Sequence, residues 1–125
     1  MDTKQQLIIV GVFLALIAGV VAFGIYYSKQ PGKYDSFAQC ISDSKTIFYG
    51  TFWCPYCQNQ KKMFGKSAQL LPYEECSTPD GQAQLAYCTE VGVESYPTWV
   101  FPDESRLTGV VSFETLAEKT GCTLP

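Results

Sequence analysis

The chain has 125 residues and a formal net charge of −3, with six cysteines and no histidine. A chain of this length predicts one globular domain. The excess of acidic over basic residues argues against a nucleic-acid-binding protein, which would present a basic stripe. An even and high number of cysteines in a small domain favours paired cysteines and an oxidising compartment.

The first predicted element is a membrane-spanning helix. Residues 7–27 carry no charge and are numerous enough to cross the hydrocarbon core of a bilayer. A signal peptide has a shorter apolar region, of about 7–15 residues, and a small-residue cleavage site, so an uncleaved signal-anchor is favoured over a cleaved signal. We therefore expect a tail at 1–6, the anchor at 7–27, a linker at 28–33 and a globular domain at 34–125.

The orientation of this anchor follows from the cysteines rather than from the flanking charges. Lys4 precedes the span while Lys29 and Lys33 follow it, so the positive-inside rule does not choose an orientation. Because the cysteine content favours oxidised pairs, we expect a single-pass membrane protein whose soluble domain is extracytoplasmic. Its contact with the lipid bilayer would be residues 7–27.

The rest of the chain predicts alternating helices and strands. A short amphipathic helix over 34–43 precedes a strand over 46–52, whose nearly continuous apolar run is typical of burial on both faces. The later predicted elements are a helix over 54–64, a strand over 70–76, a helix over 78–91, strands from Thr98 and over 106–111, and a helix over 113–120. This order predicts an α/β fold with a central mixed sheet flanked by helices.

Two cysteines occupy the junction between the first strand and the next helix. A helix N-terminus presents unpaired N–H groups and the positive end of the helix dipole, which stabilise a thiolate. Pro55 suits the first helical turn, where its missing donor costs nothing. We predict Cys54 as an exposed nucleophile and Cys57, one turn later, as the resolving thiol of a disulfide-exchange site.

A later proline strengthens this interpretation. Pro97 opens an apolar run about 40 residues after Cys57. Because proline cannot donate to a strand ladder, it belongs at a sheet edge or in a cis turn.

Together these motifs resemble the thioredoxin superfamily over about residues 34–125. The resemblance rests on Trp53-Cys54-Pro55-Tyr56-Cys57 followed by Tyr96-Pro97-Thr98. Segments 52–58, 74–77, 92–99 and 109–112 are similar to thioredoxin-like domains that are fused to, or encoded as partners of, bacterial vitamin K epoxide reductase homologues. This resemblance implies a thioredoxin fold, protein thiol or disulfide substrates, no cofactor, and a quinone-linked vitamin K epoxide reductase-like membrane enzyme as partner.

The resemblance also suggests roles for residues around the dithiol. Pro97 would keep the backbone of Tyr96 open to pair with an extended substrate segment, and would keep a metal from bridging the thiols. Trp53 and Tyr56 are expected to form an apolar rim for an unfolded substrate, whereas Phe52 is expected to pack in the core.

The other four cysteines are candidates for structural disulfides. Cys40 lies on the first domain helix and Cys122 beyond the last, so a bond between them would contribute about 4 kcal/mol in the chain-entropy model. Similar partner domains carry cysteines at the positions of Cys76 and Cys88, which implies a pair. A helix running back from the strand end would, however, carry Cys88 about 15 Å away. Free buried thiols are the alternative for all four.

One position departs from the thioredoxin pattern. Thioredoxins keep a buried carboxylate six positions before the first cysteine, and that position is Phe48 in this chain. The proton of Cys57 must therefore leave through water or another group.

The sequence leaves more than one function open. A zinc site is disfavoured because the chain lacks histidine and zinc-like cysteine spacing, and an inert disulfide is disfavoured by the strand-to-helix context. The expected function is a membrane-anchored thiol–disulfide oxidoreductase working in the oxidising direction. The alternatives are a reductase, a haem-maturation factor, a glutaredoxin-like enzyme, or a non-catalytic module that binds clients on the Trp53–Tyr96 surface.

Overall fold

The computed structural model describes all 125 residues, which form two compact units, Met1–Pro31 and Gly32–Pro125. The first unit contains one helix, α1 (Thr3–Ser28), which includes the predicted span. This helix is long and apolar enough to cross a membrane, and none of its residues is buried in protein.

The second unit is built on a four-stranded mixed sheet. Its elements are α2 (Asp35–Asp43), β1 (Ile47–Gly50), α3 (Pro55–Phe64), a 3₁₀ helix (Gly65–Leu70), β2 (Tyr73–Glu75), α4 (Ala86–Glu90), β3 (Thr98–Val100), β4 (Arg106–Thr108) and α5 (Phe113–Thr120). The strand order is β2-β1-β3-β4, with β1 parallel to β2 and antiparallel to β3, and β3 antiparallel to β4. The predicted fold class, an α/β thioredoxin arrangement with a central mixed sheet, is confirmed.

Aromatic side chains form the centre of the core. Phe48 and Trp99 are paired across β1 and β3, and their rings stack with centroids 4.4 Å apart. Phe37 from α2, Phe64 from α3 and Leu116 from α5 are also buried in this cluster. Burial of large rings supplies much of the apolar area that stabilises a domain of this size.

Polar contacts hold α3 in place on this core. The helix ends at Gly65, whose φ of 56° favours glycine. The fully buried Gln60 amide donates to the carbonyl oxygen of Val111 at 3.1 Å and accepts from the N–H of Val111 at 2.7 Å. These bonds tie the helix to the chain that follows β4.

The predicted helix over 78–91 is wrong in its first half, because α4 begins only at Ala86. The preceding residues form a turn, in which the N–H of Thr78 donates to Ala83 O at 2.9 Å and the Thr78 hydroxyl accepts from Ala83 N at 3.1 Å. Gly81 has a φ of 72°, which is incompatible with a continuous helix. Side-chain bonds to the local backbone therefore compete successfully with helix formation here.

The strands lie within the predicted ranges but are shorter. The largest difference is at β2, which begins at Tyr73 because the 3₁₀ helix occupies the chain through Leu70.

Candidate active site

Cys54 and Cys57 are unpaired thiols at the start of α3. Cys54 is the N-cap residue, and its Sγ accepts a hydrogen bond from the N–H of Cys57 at 3.4 Å. Pro55 stands in the first turn, as expected from its missing donor. An N–H group is therefore directed at the sulfur of Cys54, which lies at the positive end of the helix dipole. This geometry suits the predicted roles of nucleophile and resolving thiol.

Cys54 is more buried than the sequence suggested. It is 5% exposed and Cys57 is 0% exposed, so the prediction of an exposed nucleophile is wrong in degree. The loop before β3 lies over Cys54. In this loop the carbonyl oxygen of Tyr96 accepts a hydrogen bond from Cys54 Sγ at 3.6 Å. The peptide bond between Tyr96 and Pro97 is cis, and Pro97 is buried. Cys54 is still the more accessible of the two thiols.

The side chains predicted to contact substrate come together beside Cys54. Trp53 is 51% exposed and Tyr56 is 62% exposed. The indole N–H of Trp53 donates to Ser77 Oγ at 3.0 Å, and its ring meets that of Tyr96 edge-on at 6.0 Å. The indole is therefore fixed in orientation while one face stays open to solvent.

Phe52 does not pack in the core, contrary to the prediction. Its side chain is 49% exposed, because the chain turns outward directly after β1. Its N–H donates to Glu75 Oε1 at 3.2 Å, which holds this turn against β2. Phe52, Trp53 and Tyr56 together form an exposed aromatic rim.

A groove of about 650 Å³ opens next to this rim. Its lining is mostly apolar and combines α3 with the loops before β3 and after β4. The residues that line it include Tyr56, Met63, Ser95, Tyr96, Gly109 and Val110. A groove of this size accommodates several side chains of an extended peptide.

Burial sets the protonation behaviour of the second thiol. The pKa of Cys57 is raised to about 12, first by burial and then by its hydrogen bond with Cys54. The reduced site therefore keeps its proton on Cys57 at neutral pH.

Three polar residues beside Cys57 were not predicted to belong to the site. Lys61 lies one turn after Cys57 on α3. Tyr73 and Glu75 are two residues apart on β2, so both lie on the same face of the strand. The i, i+4 spacing was a usable signal for Lys61. Nothing in the sequence indicated that β2 would bring the other two side chains to this point.

Phe48 occupies the position at which thioredoxins keep a buried carboxylate. Phe48 is 0% exposed, and its ring lies against both Trp99 and Tyr73. Phe48 itself therefore supplies no titratable group at this position.

The remaining four cysteines lie in two pairs at bonding distance. Cys40 and Cys122 have an S–S distance of 2.09 Å, and Cys76 and Cys88 one of 2.03 Å. The expectation that a helix would carry Cys88 far from Cys76 is wrong, since their Cα atoms are 5.7 Å apart. The turn before α4 returns the chain to the end of β2, so the long helix assumed in that estimate does not exist.

The chain has a relative among known proteins. No family model matches the chain. The chain is similar to the thiol-disulfide oxidoreductase LTO1 of Arabidopsis thaliana, with 42% identity over 81 residues. The match covers 61% of this chain and 21% of the plant protein, so the chain spans about a fifth of that relative's length.

Proposed function

We propose that this chain is a membrane-anchored protein thiol–disulfide oxidoreductase that works through Cys54 and Cys57. The observation that carries the proposal is the difference among the cysteines. Four lie in pairs at bonding distance, whereas Cys54 and Cys57 are free at a helix N-terminus. The similarity to a protein named as a thiol-disulfide oxidoreductase supports the same activity.

The proposed direction is oxidation of substrate thiols. A substrate thiolate attacks Cys54 in the Cys54–Cys57 disulfide, and the electron pair of the broken bond remains on Cys57. A second substrate thiolate then attacks the substrate sulfur of the mixed disulfide and releases Cys54. The substrate leaves with a disulfide, and the site is left as a dithiol.

The surface around Cys54 supports an extended, unfolded substrate. Its backbone would pair with Tyr96 beside Pro97, by strand addition. Its apolar side chains would contact Trp53 and Tyr56 and enter the adjoining groove.

The dithiol must pass its electrons onward to complete a cycle. The proposed acceptor is a quinone-linked vitamin K epoxide reductase-like membrane enzyme, supported by the resemblance of segments 52–58, 74–77, 92–99 and 109–112 to its partner domains. Residues 7–27 would anchor the domain at 34–125 outside the cytoplasm. Tethering both proteins to one membrane raises their effective concentration.

The reduction potential of the Cys54–Cys57 pair tests this proposal. The full chain in detergent is equilibrated in glutathione buffers, and free thiols are trapped and counted by mass. A potential near −120 to −200 mV supports disulfide donation, whereas one near −270 mV or below favours a reductase.

Two serine variants complete this experiment. Cys54→Ser is expected to abolish substrate oxidation. Cys57→Ser, mixed with a substrate that already carries a disulfide, is expected to trap a mixed disulfide at Cys54, because no second site thiol can resolve it. Unaltered oxidation by Cys54→Ser would contradict the proposal. Absence of any redox titration in the wild type, with client binding retained in Cys54→Ser, would instead identify a non-catalytic binding module.

A further inference from the structure

The fully buried Cys57 needs a route for its proton, given the proposed exchange reaction. Cys57 is 0% exposed, so bulk water does not reach its sulfur directly. It must nevertheless gain a proton when the disulfide opens and lose one when it closes. Phe48, in the place of a buried carboxylate, cannot serve.

The ring of Tyr73 lies beside the Cys57 sulfur, across Gly50. A Cβ atom added at Gly50 would lie 2.9 Å from Cys57 Sγ and 2.9 Å from Tyr73 Cε2. Both atoms therefore border the same small space over β1. Glycine at this position lets β2 bring an aromatic ring next to the thiol.

Lys61 covers that ring from the helix side. Its Nζ is 3.3 Å from the centroid of Tyr73, a close cation–π contact. Residues i and i+4 of a helix have Cβ atoms about 5–6 Å apart, so Lys61 shares a face of α3 with Cys57. Lys61 and Tyr73 also line a separate cleft of about 410 Å³ that is open to solvent. The ammonium group thus contacts the ring that borders the buried thiol, on a side chain that also lines an open cleft.

Glu75 organises this arrangement. Its Oε2 accepts from the Tyr73 hydroxyl at 2.8 Å, and its Oε1 accepts from the N–H groups of Phe52 and Ser77 at 3.2 and 2.9 Å. A carboxylate held by three donors fixes the ring on which Lys61 rests.

We propose that Lys61 carries the proton between Cys57 and the open cleft, with Tyr73 and Glu75 as positioning residues. When a substrate thiolate attacks Cys54, the Cys54–Cys57 bond breaks and its electron pair leaves on Cys57 as a thiolate. The Lys61 ammonium gives this thiolate a proton, and the resulting amine takes a proton from water in the cleft. In the reverse step the Lys61 amine removes the proton of Cys57, whose thiolate then attacks Cys54 and expels the substrate thiolate.

The pKa values of Lys61 and Cys57 favour proton transfer from the Lys61 ammonium to the Cys57 thiolate. Burial lowers the pKa of Lys61 from its ordinary 10.5, an effect that Glu75 and Cys57 partly oppose. The pKa of Cys57 is raised to about 12, so a proton moves downhill from the ammonium to the thiolate. The other titratable groups that face this pair are Cys54 on α3, Tyr73 and Glu75 on β2, and Tyr96 in the loop before β3.

The proposed removal of the Cys57 proton by Lys61 can be measured separately, in the reaction in which Cys57 attacks a mixed disulfide at Cys54. The full chain in detergent is converted to a mixed disulfide between Cys54 and 2-mercaptoethanol, and the release of this thiol is followed by stopped flow from about pH 6 to about pH 9. We expect Lys61→Gln to slow release by about 100-fold near neutral pH. Lys61→Arg should be equally slow, because arginine keeps the charge but does not give up its proton.

Matched controls separate proton transfer from a change in structure. Lys62→Gln removes the same charge from the neighbouring exposed residue and should behave as the wild type. Ethylamine in the buffer should restore part of the rate in Lys61→Ala but not in Lys61→Arg, where the larger side chain occupies the site. Tyr73→Phe keeps the ring, loses only the bond to Glu75, and should slow release by about threefold.

Each outcome decides between the two proposals. Wild-type rates and pH profile in Lys61→Gln, with normal thiol release by the wild type, would overturn the proton-transfer role alone. Wild-type rates in Lys61→Arg would also overturn it, since charge alone would then suffice. No thiol release by the wild type at any pH would overturn the exchange function, and this role with it.

Discussion

The redox-active candidates and the disulfide-bonded cysteines of this chain differ in surroundings rather than in burial. Cys76 and Cys88 are 0% exposed and Cys122 is 5% exposed, while Cys54 and Cys57 are 5% and 0% exposed. Cys54 differs from the disulfide-bonded cysteines in that it caps α3 and its sulfur accepts a hydrogen bond from the N–H of Cys57. Accessibility therefore does not identify a reactive cysteine in this fold. The N-cap position of Cys54 is what sets it apart from the disulfide-bonded cysteines.

The two disulfides should contribute unequally to stability, and their removal is the largest effect expected. The bond between Cys40 and Cys122 has a sequence separation of 82, and that between Cys76 and Cys88 one of 12. In the chain-entropy model these loops correspond to about 4.5 and about 3 kcal/mol. Denaturant unfolding of the two double-alanine variants in detergent measures the free energy of unfolding.

Thiol exchange provides the control for this comparison. Both variants should keep the Cys54–Cys57 reduction potential of the wild type under conditions where they are folded. A larger loss of stability from the Cys76 and Cys88 pair would contradict the loop-length ranking. A shifted reduction potential would show that the disulfides do more than hold the domain together.

The helix that carries the dithiol has a polar anchor in place of a disulfide. Gln60→Leu would leave buried without partners both backbone groups of Val111 and the indole N–H of Trp99, which is 3.4 Å from Gln60 Oε1. We expect a loss of about 2 kcal/mol in the free energy of unfolding. Gln69→Leu, at an exposed position just after α3, should change it by less than about 0.5 kcal/mol. Equal effects of the two variants would contradict the anchoring role.

The pH dependence of stability should distinguish the reduced from the oxidised protein. Because burial raises the pKa of Cys57, the folded state favours the neutral thiol. This stability is complete below the ordinary thiol pKa of 9.0 and is lost as the pH rises towards about 12. The oxidised protein has no such thiol.

We therefore expect the free energy of unfolding of the reduced form, relative to the oxidised form, to fall across that window. Denaturant unfolding of both forms at several pH values measures it, and Cys57→Ala should remove the fall. A constant difference between the two forms would contradict the buried, protonated state of Cys57.

The aromatic rim should affect large substrates more than small ones, and this is the smallest effect expected. Tyr56→Ser removes a ring that is 62% exposed and also lines the groove. We expect kcat/KM for an unfolded dithiol protein to fall about threefold to tenfold. Oxidation of dithiothreitol should be unchanged.

Leu124→Ser, at an exposed apolar position near the C-terminus, is the matched control for this variant. It should leave both reactions at the wild-type rate. Equal losses with both substrates in Tyr56→Ser would assign Tyr56 to the chemistry of the dithiol rather than to substrate contact.

Local chemistry made much of this molecule predictable. The start of α3 follows from Pro55 and its end from Gly65, and α5 runs from Phe113 to Thr120 as predicted. In these cases the signal lies within one turn of the residue that it describes: a proline that lacks a donor, or a glycine that accepts a positive φ. The apolar segment at the N-terminus is predictable for the same reason, since length and hydropathy are local properties.

The errors lie at turns that the apolar pattern of the sequence did not reveal. The turn before α4 replaced a predicted helix because Thr78 and Asp80 bond to the nearby backbone. Phe52 was assigned to the core from its apolar character, although the chain turns outward at that residue.

By itself the sequence determined the dithiol, the helix at whose start it lies, the aromatic residues beside it and the order of the elements. Only the tertiary structure decided what surrounds Cys57. The parallel register of β1 and β2 pairs Gly50 with Glu75 and places the ring of Tyr73 at the sulfur, where Lys61 meets it from α3. The reason is physical: spacing along one helix or strand is set by its own geometry, but contact between two elements depends on how the whole core packs.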